Sequence, residues 1–339
     1  MKNKLSLKYV GFFLMLAILV LLPFVNDSRT LMILLTQIFI FGILAMSYDI
    51  LLGYTGIVSF GHAMFFGIGA YTTSVMLKQM DNTLSIFLLS IVVGILIAGF
   101  ISFLVGLLTL RLKSHFFAML TLAFSGLFLV VAEKWRSITY GNDGFTFRAP
   151  EIFRDRITFY FFVLACLVFI FIALYRFVNS PTGRILIAVR ENEQRTKSLG
   201  YNTLHYKVIA SVVAGTVASL AGALYAISLR FVNTSVMTMD ITLDALLMTI
   251  IGGVGTLVGP LLGAAVIEYA QHTLSGLARD YPIFERWIIF FGILYILAVI
   301  FFPKGIIGSL RMMYWKWRLK LKEKDKTSVA QPQKKERFE

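Results

Sequence analysis

Charge and cysteine are both scarce in this chain, and each scarcity excludes a class of protein. Asp, Glu, Lys and Arg make up 15% of its 339 residues, whereas a soluble globular domain carries roughly a quarter. Hydrophobic residues make up 58% and the mean hydropathy is +0.79, which places the chain in a lipid bilayer. The single cysteine, Cys166, lies in an apolar run and excludes an internal disulfide framework.

The sequence also lacks the patterns that nucleotide binding or catalysis requires. No Gly-Lys-Ser/Thr tripeptide occurs, so the phosphate-binding loop of the P-loop nucleotide hydrolases is missing. No residues show metal-ligand spacing or a nucleophile–base arrangement. We therefore expect a membrane protein that is not an enzyme and has no metal and no cofactor of its own.

Positive charge is concentrated near one end of the chain. The formal net charge is +14, and eleven Lys and Arg residues lie at or after Lys304, with Trp315 and Trp317 among them. Trp beside basic residues anchors a chain at the membrane surface, and basic segments stay in the cytoplasm. We expect no nucleic-acid partner, a membrane region over residues 1–310, and a basic, disordered cytoplasmic tail over 311–339.

Apolar segments of membrane-spanning length predict an all-α, polytopic membrane helix bundle of about ten segments. The segments are 10–25, 31–52, 57–77, 84–110, 115–132, 157–178, 207–229, 241–255, 257–275 and 286–302. With the N-terminus inside, most Lys and Arg residues and both termini face the cytoplasm, as the positive-inside rule requires. Glycine interrupts 57–77 and 241–275, so these are either full spans or partly re-entrant.

Small residues at i+4 spacing predict which spans pack closely, because they let helix backbones approach each other in lipid. One ridge is Gly94, Ala98, Ser102 and Gly106, and a second is Ser211, Gly215, Ser219 and Ala223. We therefore expect a packed bundle rather than a series of separate anchors.

A hydrophilic segment, residues 179–206, interrupts the apolar pattern. Ser180 and Pro181 favour a helix start, and Gly200 favours its end. The pairs at the i,i+4 spacing that supports an exposed helix are Glu191/Arg195 and Glu193/Lys197. The hydrophilic segment is too short and too charged to span a bilayer, so we expect one cytoplasmic helix that contacts a cytoplasmic partner.

Two sets of residues in the apolar regions are candidates for a site. Glycine-rich interruptions at membrane depth are buried or line a cavity, and tight helix packing is the alternative to a transport path. This set is Gly56, Ser59, Gly61, His62, Gly67, Gly253, Gly255 and Gly259. Carboxylates are site candidates because charge in lipid is costly, with an interhelical hydrogen bond as the alternative. This second set is Asp49, Asp244 and Glu268.

Several of these motifs, in this order, resemble one known family. The motifs are Leu51-Leu-Gly53-Tyr-Thr-Gly56, Ser59-Phe-Gly61-His62-Ala, Thr139-Tyr-Gly141-Asn-Asp-Gly144, Ser180-Pro-Thr-Gly183-Arg184, Arg190-Glu-Asn-Glu193 and Gly252-Gly-Val-Gly255-Thr-Leu-Val-Gly259-Pro. From about residue 40 to 302 the chain resembles the high-affinity branched-chain amino acid ABC permeases of the LivH/LivM type. The motif order and the long external loop, 133–156, favour the LivM-like half.

The resemblance implies a permease subunit that carries Leu, Ile or Val across the cytoplasmic membrane of a prokaryote. It implies a LivH-like second permease, two cytoplasmic ATPases that bind the ATP, and an extracytoplasmic substrate-binding protein. By resemblance, residues 184–199 dock on an ATPase. The coupling residues so implied are Gly183, Arg184, Arg190, Glu191, Glu193 and Gly200. The chain departs from the family where two alanines are usual, since it has Arg195 and Thr196 there.

Three alternatives stay open at this point. A urea or short-amide permease of the same kind would have closely similar motifs. An ion-coupled secondary transporter would work without an ATPase, with Glu268 or Asp244 carrying the ion. A membrane enzyme or assembly factor is disfavoured because the apolar segments contain no convergent catalytic set.

Overall fold

The structure is a computed structural model that describes residues 17–25, 28–112 and 114–280. Beyond residue 280 it describes residues 289, 292–293, 296, 300, 305–309 and 312. The first part of the expected span 10–25, most of the span 286–302 and nearly all of the basic tail 311–339 lie outside the described residues.

The described chain is a bundle of α-helices, which confirms the expected fold class. Residues 17–25 form the described part of α1. The further helices are α2 (Arg29–Thr55), α3 (His62–Gln79), α4 (Leu84–Thr109), α5 (Ser114–Lys134), α6 (Arg136–Thr139), α7 (Arg156–Asn179), α8 (Pro181–Glu191), α9 (Glu193–Ser198), α10 (Thr203–Leu229), α11 (Met239–Gly252) and α12 (Val258–Asp280). Two short strands, β1 (Phe145–Thr146) and β2 (Phe231–Val232), pair antiparallel.

Polar residues in the connections determine where several helices begin. The Thr83 hydroxyl accepts a hydrogen bond from the third residue of α4, and the Asp155 carboxylate accepts one from the Thr158 amide in the first turn of α7. The Asn202 side chain caps α10 in the same way. Each side chain satisfies an amide that has no partner inside its own helix.

The long helices alternate in direction, so their connections gather at two ends of the bundle. We call the end that contains the hydrophilic segment the segment end; its connections are residues 53–61, 110–112, 180–202 and 253–257. We call the opposite end, where β1 and β2 form a two-stranded ribbon, the ribbon end; its connections are residues 80–83, 135–155 and 230–238. At the ribbon end β1 pairs with β2, and the Thr234 hydroxyl donates a hydrogen bond to the Asn142 side chain at 2.6 Å.

Burial separates a central layer from a peripheral one. Within the most apolar stretches of α2 and α10, 67% of residues are buried, against 28% in α4 and 22% in α5. Five of the described helices are long and apolar enough to cross a membrane, namely α2, α4, α5, α7 and α10. Large apolar side chains such as Leu108 and Met119 point outward from α4 and α5, as lipid-facing residues do.

The predicted ridges of small residues do bring α4 and α10 together. The Ser102 hydroxyl on α4 donates a hydrogen bond to the Ser211 carbonyl on α10 at 2.7 Å. Gly94 lies against Ser219, and Gly215 lies against Ser102. This confirms the sequence-based expectation of close backbone approach.

The predicted boundaries hold best where apolar runs are continuous. Segments 84–110, 115–132 and 157–178 match α4, α5 and α7 within two residues. Segment 57–77 is interrupted at its glycine-rich start, because residues 56–61 are not helical and α3 begins at His62.

The glycine-rich region near residue 255 divides two helices that lie side by side. The backbone of Gly263 in α12 packs on the Met248 carbonyl of α11. Helix α11 has 14 residues, which gives a length of about 21 Å. This is shorter than the roughly 30 Å hydrocarbon core of a bilayer.

Candidate functional site

The hydrophilic segment forms two helices rather than the single one expected. Asn192 has extended backbone angles, ends α8, and accepts a hydrogen bond from the Arg195 amide at 2.9 Å that starts α9. Because of this break, the predicted Glu191/Arg195 pair lies on two different helices, and it does not form in the described structure. The predicted helix start is confirmed, since Ser180 is the capping residue and Pro181 is the first residue of α8.

Glu193 holds the second of these helices to the start of α10. Its carboxylate forms ion pairs with Lys197 at 3.1 Å and with Lys207 at 2.6 Å, and it accepts a hydrogen bond from the Thr203 hydroxyl. Burial alone would raise the pKa of Glu193, but the hydrogen bonds from Lys207 and Lys197 outweigh it and lower the pKa to about 2. Glu193 therefore serves the chain's own packing, and the predicted Glu193/Lys197 pair is confirmed.

The other predicted coupling residues of the hydrophilic segment divide into buried and exposed positions. Gly183 lies directly on the Val178 backbone, where a side chain has no room. Gly200 has a φ of 90° and ends α9, as a glycine after a helix commonly does. Arg184 and Glu191 are exposed to solvent.

The two positions that depart from the family pattern face opposite ways. Thr196 is buried, and its hydroxyl donates a hydrogen bond to the Asn192 carbonyl at 2.9 Å. Arg195 is exposed. The bulk of Arg195 is therefore presented to whatever contacts this surface, and not to the bundle.

Arg190 joins the hydrophilic segment to both glycine-rich connections. Its guanidinium donates a hydrogen bond to the Gly53 carbonyl, near the end of α2. Its aliphatic stem lies against Gly56, and a side chain at Gly255 would meet its guanidinium 3.2 Å away. Glycine at these positions leaves the room that the arginine occupies.

Asp49 closes the turn between α11 and α12 from the side of α2. Its carboxylate accepts hydrogen bonds from the amides of Gly255 at 2.7 Å and Leu257 at 3.3 Å. Leu257 has a φ of 52° and Gly255 a φ of 76°, so the turn needs this support because positive φ is costly for leucine. Asp49 is fully buried and is attracted electrostatically by Arg190.

Asp49, Gly53, Arg190 and Gly255 thus form one cluster, which we call the coupling junction. It connects three separate parts of the chain: the end of α2, the end of α8, and the turn before α12. Arg190 is the residue of the hydrophilic segment that contacts the other two parts.

The connection 56–61 is anchored beside the coupling junction. The Phe60 amide donates a hydrogen bond to the Thr121 hydroxyl on α5 at 3.1 Å, and the Ala63 amide donates one to Thr242 on α11 at 2.9 Å. The Ser59 hydroxyl accepts a hydrogen bond from the Gly61 amide. Ser59 and Gly61 therefore shape a connection that reaches two further helices.

His62 stands at the start of α3 with both ring nitrogens buried. Its ring lies edge-on to Tyr48, with ring centroids 4.7 Å apart. Neither His62 nitrogen nor the Tyr48 hydroxyl meets hydrogen-bond geometry with a partner in the described structure. These two rings are polar groups inside the apolar core, between the coupling junction and α3.

The remaining candidates lie at other places in the bundle. Gly67 packs on Met237, toward the ribbon end, while Gly253 and Gly259 lie within and just after the α11–α12 turn. Asp244 on α11 and the buried Glu268 on α12 are close enough to repel each other, and they are not part of the coupling junction. No group of residues in the described ranges is arranged to hold a metal ion.

Sequence reasoning missed several residues that hold the coupling junction and its neighbouring connections in place. Lys207 was not singled out, although a lysine at the start of an apolar span is a recognisable signal for a buried ion pair. Thr121 and Thr242 carry no such signal, because threonine is common in membrane helices and their partners are distant in the sequence. Gly53 was only part of a motif.

A membrane helix bundle whose hydrophilic segment is tied to glycine-rich connections has the architecture of a permease subunit. The chain belongs to the family described as branched-chain amino acid transport system / permease component, whose sequence model matches residues 30–299. No solved structure matches the chain.

Three relatives illustrate the similarity. The high-affinity branched-chain amino acid transport system permease protein LivM of Escherichia coli is 26% identical, over 88% of this chain and 74% of that protein. A probable LivM permease of Methanocaldococcus jannaschii is 23% identical, over 78% and 89% of the two chains. The LivH permease of Salmonella typhimurium is 23% identical, over 79% and 91%.

Proposed function

We propose that this protein is the permease subunit of an ATP-binding-cassette importer that carries leucine, isoleucine and valine across the cytoplasmic membrane. The single observation that carries the mechanism is the Arg190 contact with Gly53, which ties the hydrophilic segment to the bundle. The names of the LivM and LivH relatives favour branched-chain amino acids over urea or short amides as substrate.

The proposed orientation places the segment end of the bundle in the cytoplasm, with both termini also cytoplasmic and about ten membrane segments. The concentration of Lys and Arg in the hydrophilic segment and after Lys304 supports it, because short basic loops stay inside. The ribbon end would then face outward.

The proposed partners follow from this orientation. One of the two ATPase subunits docks on residues 184–199, where Arg184, Glu191 and Arg195 offer exposed charged side chains. A LivH-like permease completes the membrane part, and an extracytoplasmic binding protein delivers substrate at the ribbon end. ATP binds the ATPase subunits, and this chain needs no cofactor.

Coupling runs through the junction. When the ATPases close on ATP, they displace α8, and Arg190 carries that displacement to Gly53 on α2. The Asp49 hydrogen bonds pass it on to the α11–α12 turn. Packed helices move as rigid bodies, so a small shift at the segment end rearranges the helices beside the glycine-rich connections, which line the path.

The test is uptake by the whole assembly in liposomes, with the binding protein supplied outside. We expect ATP-dependent uptake of labelled leucine that unlabelled isoleucine and valine compete for and urea does not. The control assembly has an ATPase partner whose phosphate-binding lysine is replaced. Uptake of urea in place of leucine would overturn the substrate, and uptake by the control under a proton gradient would overturn the ATP-driven mechanism.

A further inference from the structure

A basic cavity lies at the segment end, outside the coupling junction. It has a volume of about 530 Å³ and opens between the turn after α4 and the start of α10. Arg111 contributes from the turn, Lys197 from α9 and Lys207 from α10. The cavity thus joins the hydrophilic segment to the peripheral helices.

The cavity keeps an excess of positive charge. Its three cations face one carboxylate, Glu193, which already pairs with Lys197 and Lys207. Because the pKa of Glu193 is lowered to about 2, that carboxylate is ionised throughout the physiological range. Its negative charge therefore offsets only one of the three positive charges. Arg111 is exposed and forms no ion pair with any residue in the described ranges.

One part of the cavity wall is apolar, and exposed apolar residues of α4 and α5 lie close to it in the sequence. Leu110, Leu112 and Leu204 line it beside the charged groups. Directly before the turn, Leu108 on α4 is 63% exposed, and Phe116 at the start of α5 is 62% exposed. Helices α4 and α5 are long and apolar enough to cross a membrane, and in that placement their ends at the cavity meet the boundary between hydrocarbon and headgroups.

We propose that this cavity binds the phosphate of an anionic phospholipid, whose acyl chains lie along α4 and α5. A basic pocket between helix ends that opens onto an apolar surface matches a phospholipid in charge and in shape. A free phosphate ion would use the cations but not the apolar walls, so we assign the cavity to the membrane lipid.

A lipid bound there has a structural consequence. Its phosphate would bridge Arg111, in the turn after α4, and Lys197, on α9. The phosphate would therefore connect α9 to the α4–α5 turn, just as the Glu193–Lys207 ion pair connects α9 to α10. Anionic lipid would stiffen the hydrophilic segment against the bundle.

The experiment measures lipid retention and does not depend on transport. The full chain, purified in its assembly and stripped of lipid, is mixed with phosphatidylglycerol or phosphatidylcholine and examined by native mass spectrometry. We expect specific retention of phosphatidylglycerol, reduced about fivefold by Arg111→Gln, since one basic contact to anionic lipid contributes ~1 kcal/mol. Arg176→Gln is the matched control, because Arg176 is exposed at the end of α7 and does not line the cavity.

Any one of four results would overturn the proposal. Equal retention of both lipids, or unchanged retention in Arg111→Gln, would remove the site. Displacement of phosphatidylglycerol by millimolar inorganic phosphate would make it a small-anion site. Loss of the ATPase from Arg111→Gln, with lipid retention intact, would assign the cavity to an acidic side chain of the ATPase. Thermal unfolding of each variant checks that the fold is retained, and failed amino acid uptake would bear only on the proposed function.

Discussion

The guanidinium of Arg190 donates a hydrogen bond to the carbonyl oxygen of Gly53, across 137 residues of sequence. This contact joins the hydrophilic segment to α2, one of the two most buried long helices of the described bundle. In the proposed mechanism this contact gives the hydrophilic segment a second role besides offering an exposed surface, because it transmits a displacement of α8 to α2.

Replacing Arg190 should separate ATP hydrolysis from transport. In Arg190→Gln the shorter neutral side chain loses the Gly53 contact and its attraction to Asp49, so we expect leucine uptake to fall at least about tenfold while ATP hydrolysis persists. A tenfold change corresponds to about 1.4 kcal/mol, within the range of one charged hydrogen bond. Reconstituted complexes give both rates. Unchanged uptake per ATP would show that coupling does not pass through Arg190, and Arg176→Gln serves as the control for loss of a surface charge.

Variants of Asp49 should lose stability according to how many hydrogen-bond acceptors the new side chain keeps. Asp49→Ala removes the acceptor of the half-buried Gly255 amide and of the buried Leu257 amide, at a cost of about 1–3 kcal/mol for the buried one and less for the other. Asp49→Asn keeps one acceptor oxygen and should fall between the wild type and the alanine variant. Thermal unfolding in detergent gives the order. An alanine variant as stable as the wild type would mean that the α11–α12 turn does not depend on Asp49.

Two helical glycines, Gly222 and Gly126, should respond differently to replacement by alanine, because only Gly222 is tightly packed against another helix. A methyl group on Gly222 would overlap the Phe66 carbonyl on α3, whereas one on Gly126 meets nothing within 4 Å. We expect Gly222→Ala to destabilise the fold by about 1–3 kcal/mol through overpacking. Gly126→Ala should be neutral or slightly stabilising, since alanine favours helix. Equal melting temperatures for the two variants would contradict the tight packing of α10 on α3.

The ion pairs of Glu193 predict a defined response to acid. Because the folded pKa, about 2, is below the ordinary value of 4.5, the stabilisation is complete above about pH 5 and is lost as the pH falls toward 2. Glu193→Gln should lower stability at pH 7 by about 1–2 kcal/mol, a value reduced because Glu193 is partly exposed. Unfolding measured against pH should show a smaller acid dependence in the variant.

The control for Glu193 is its neighbour. Glu191 is exposed and forms no ion pair in the described structure, so Glu191→Gln should leave the melting temperature and its pH dependence unchanged. If both variants behave alike, the effect comes from net charge and not from the contacts with Lys197 and Lys207.

Local patterns account for most of what could be predicted. Continuous apolar runs gave α4, α5 and α7 within two residues, because length and hydropathy are properties of the run itself. The small residues of α4 and α10 identified a packing interface for the same reason, since their i+4 spacing already describes one helix face. The Ser180–Pro181 helix start is equally local.

Contacts between distant parts of the chain account for what was missed. At the break, Asn192 caps α9 and Glu193 pairs with Lys207 on α10. The i,i+4 spacing within the hydrophilic segment could not predict a partner on α10. Asp49 was a candidate as an isolated charge, but its hydrogen-bond donors are backbone amides more than 200 residues away in the sequence. Backbone donors leave no trace in side-chain patterns, so the coupling junction emerged only from the folded structure.

The most direct test of the central claim is purification of this chain from its native membrane in mild detergent, with identification of the bound proteins. The account predicts that ATPase subunits and a second, LivH-like permease purify with it, and that Glu191→Lys, at an exposed position of the docking segment, weakens the ATPase contact. A chain that purifies alone and still takes up leucine after ATP is depleted would contradict the account.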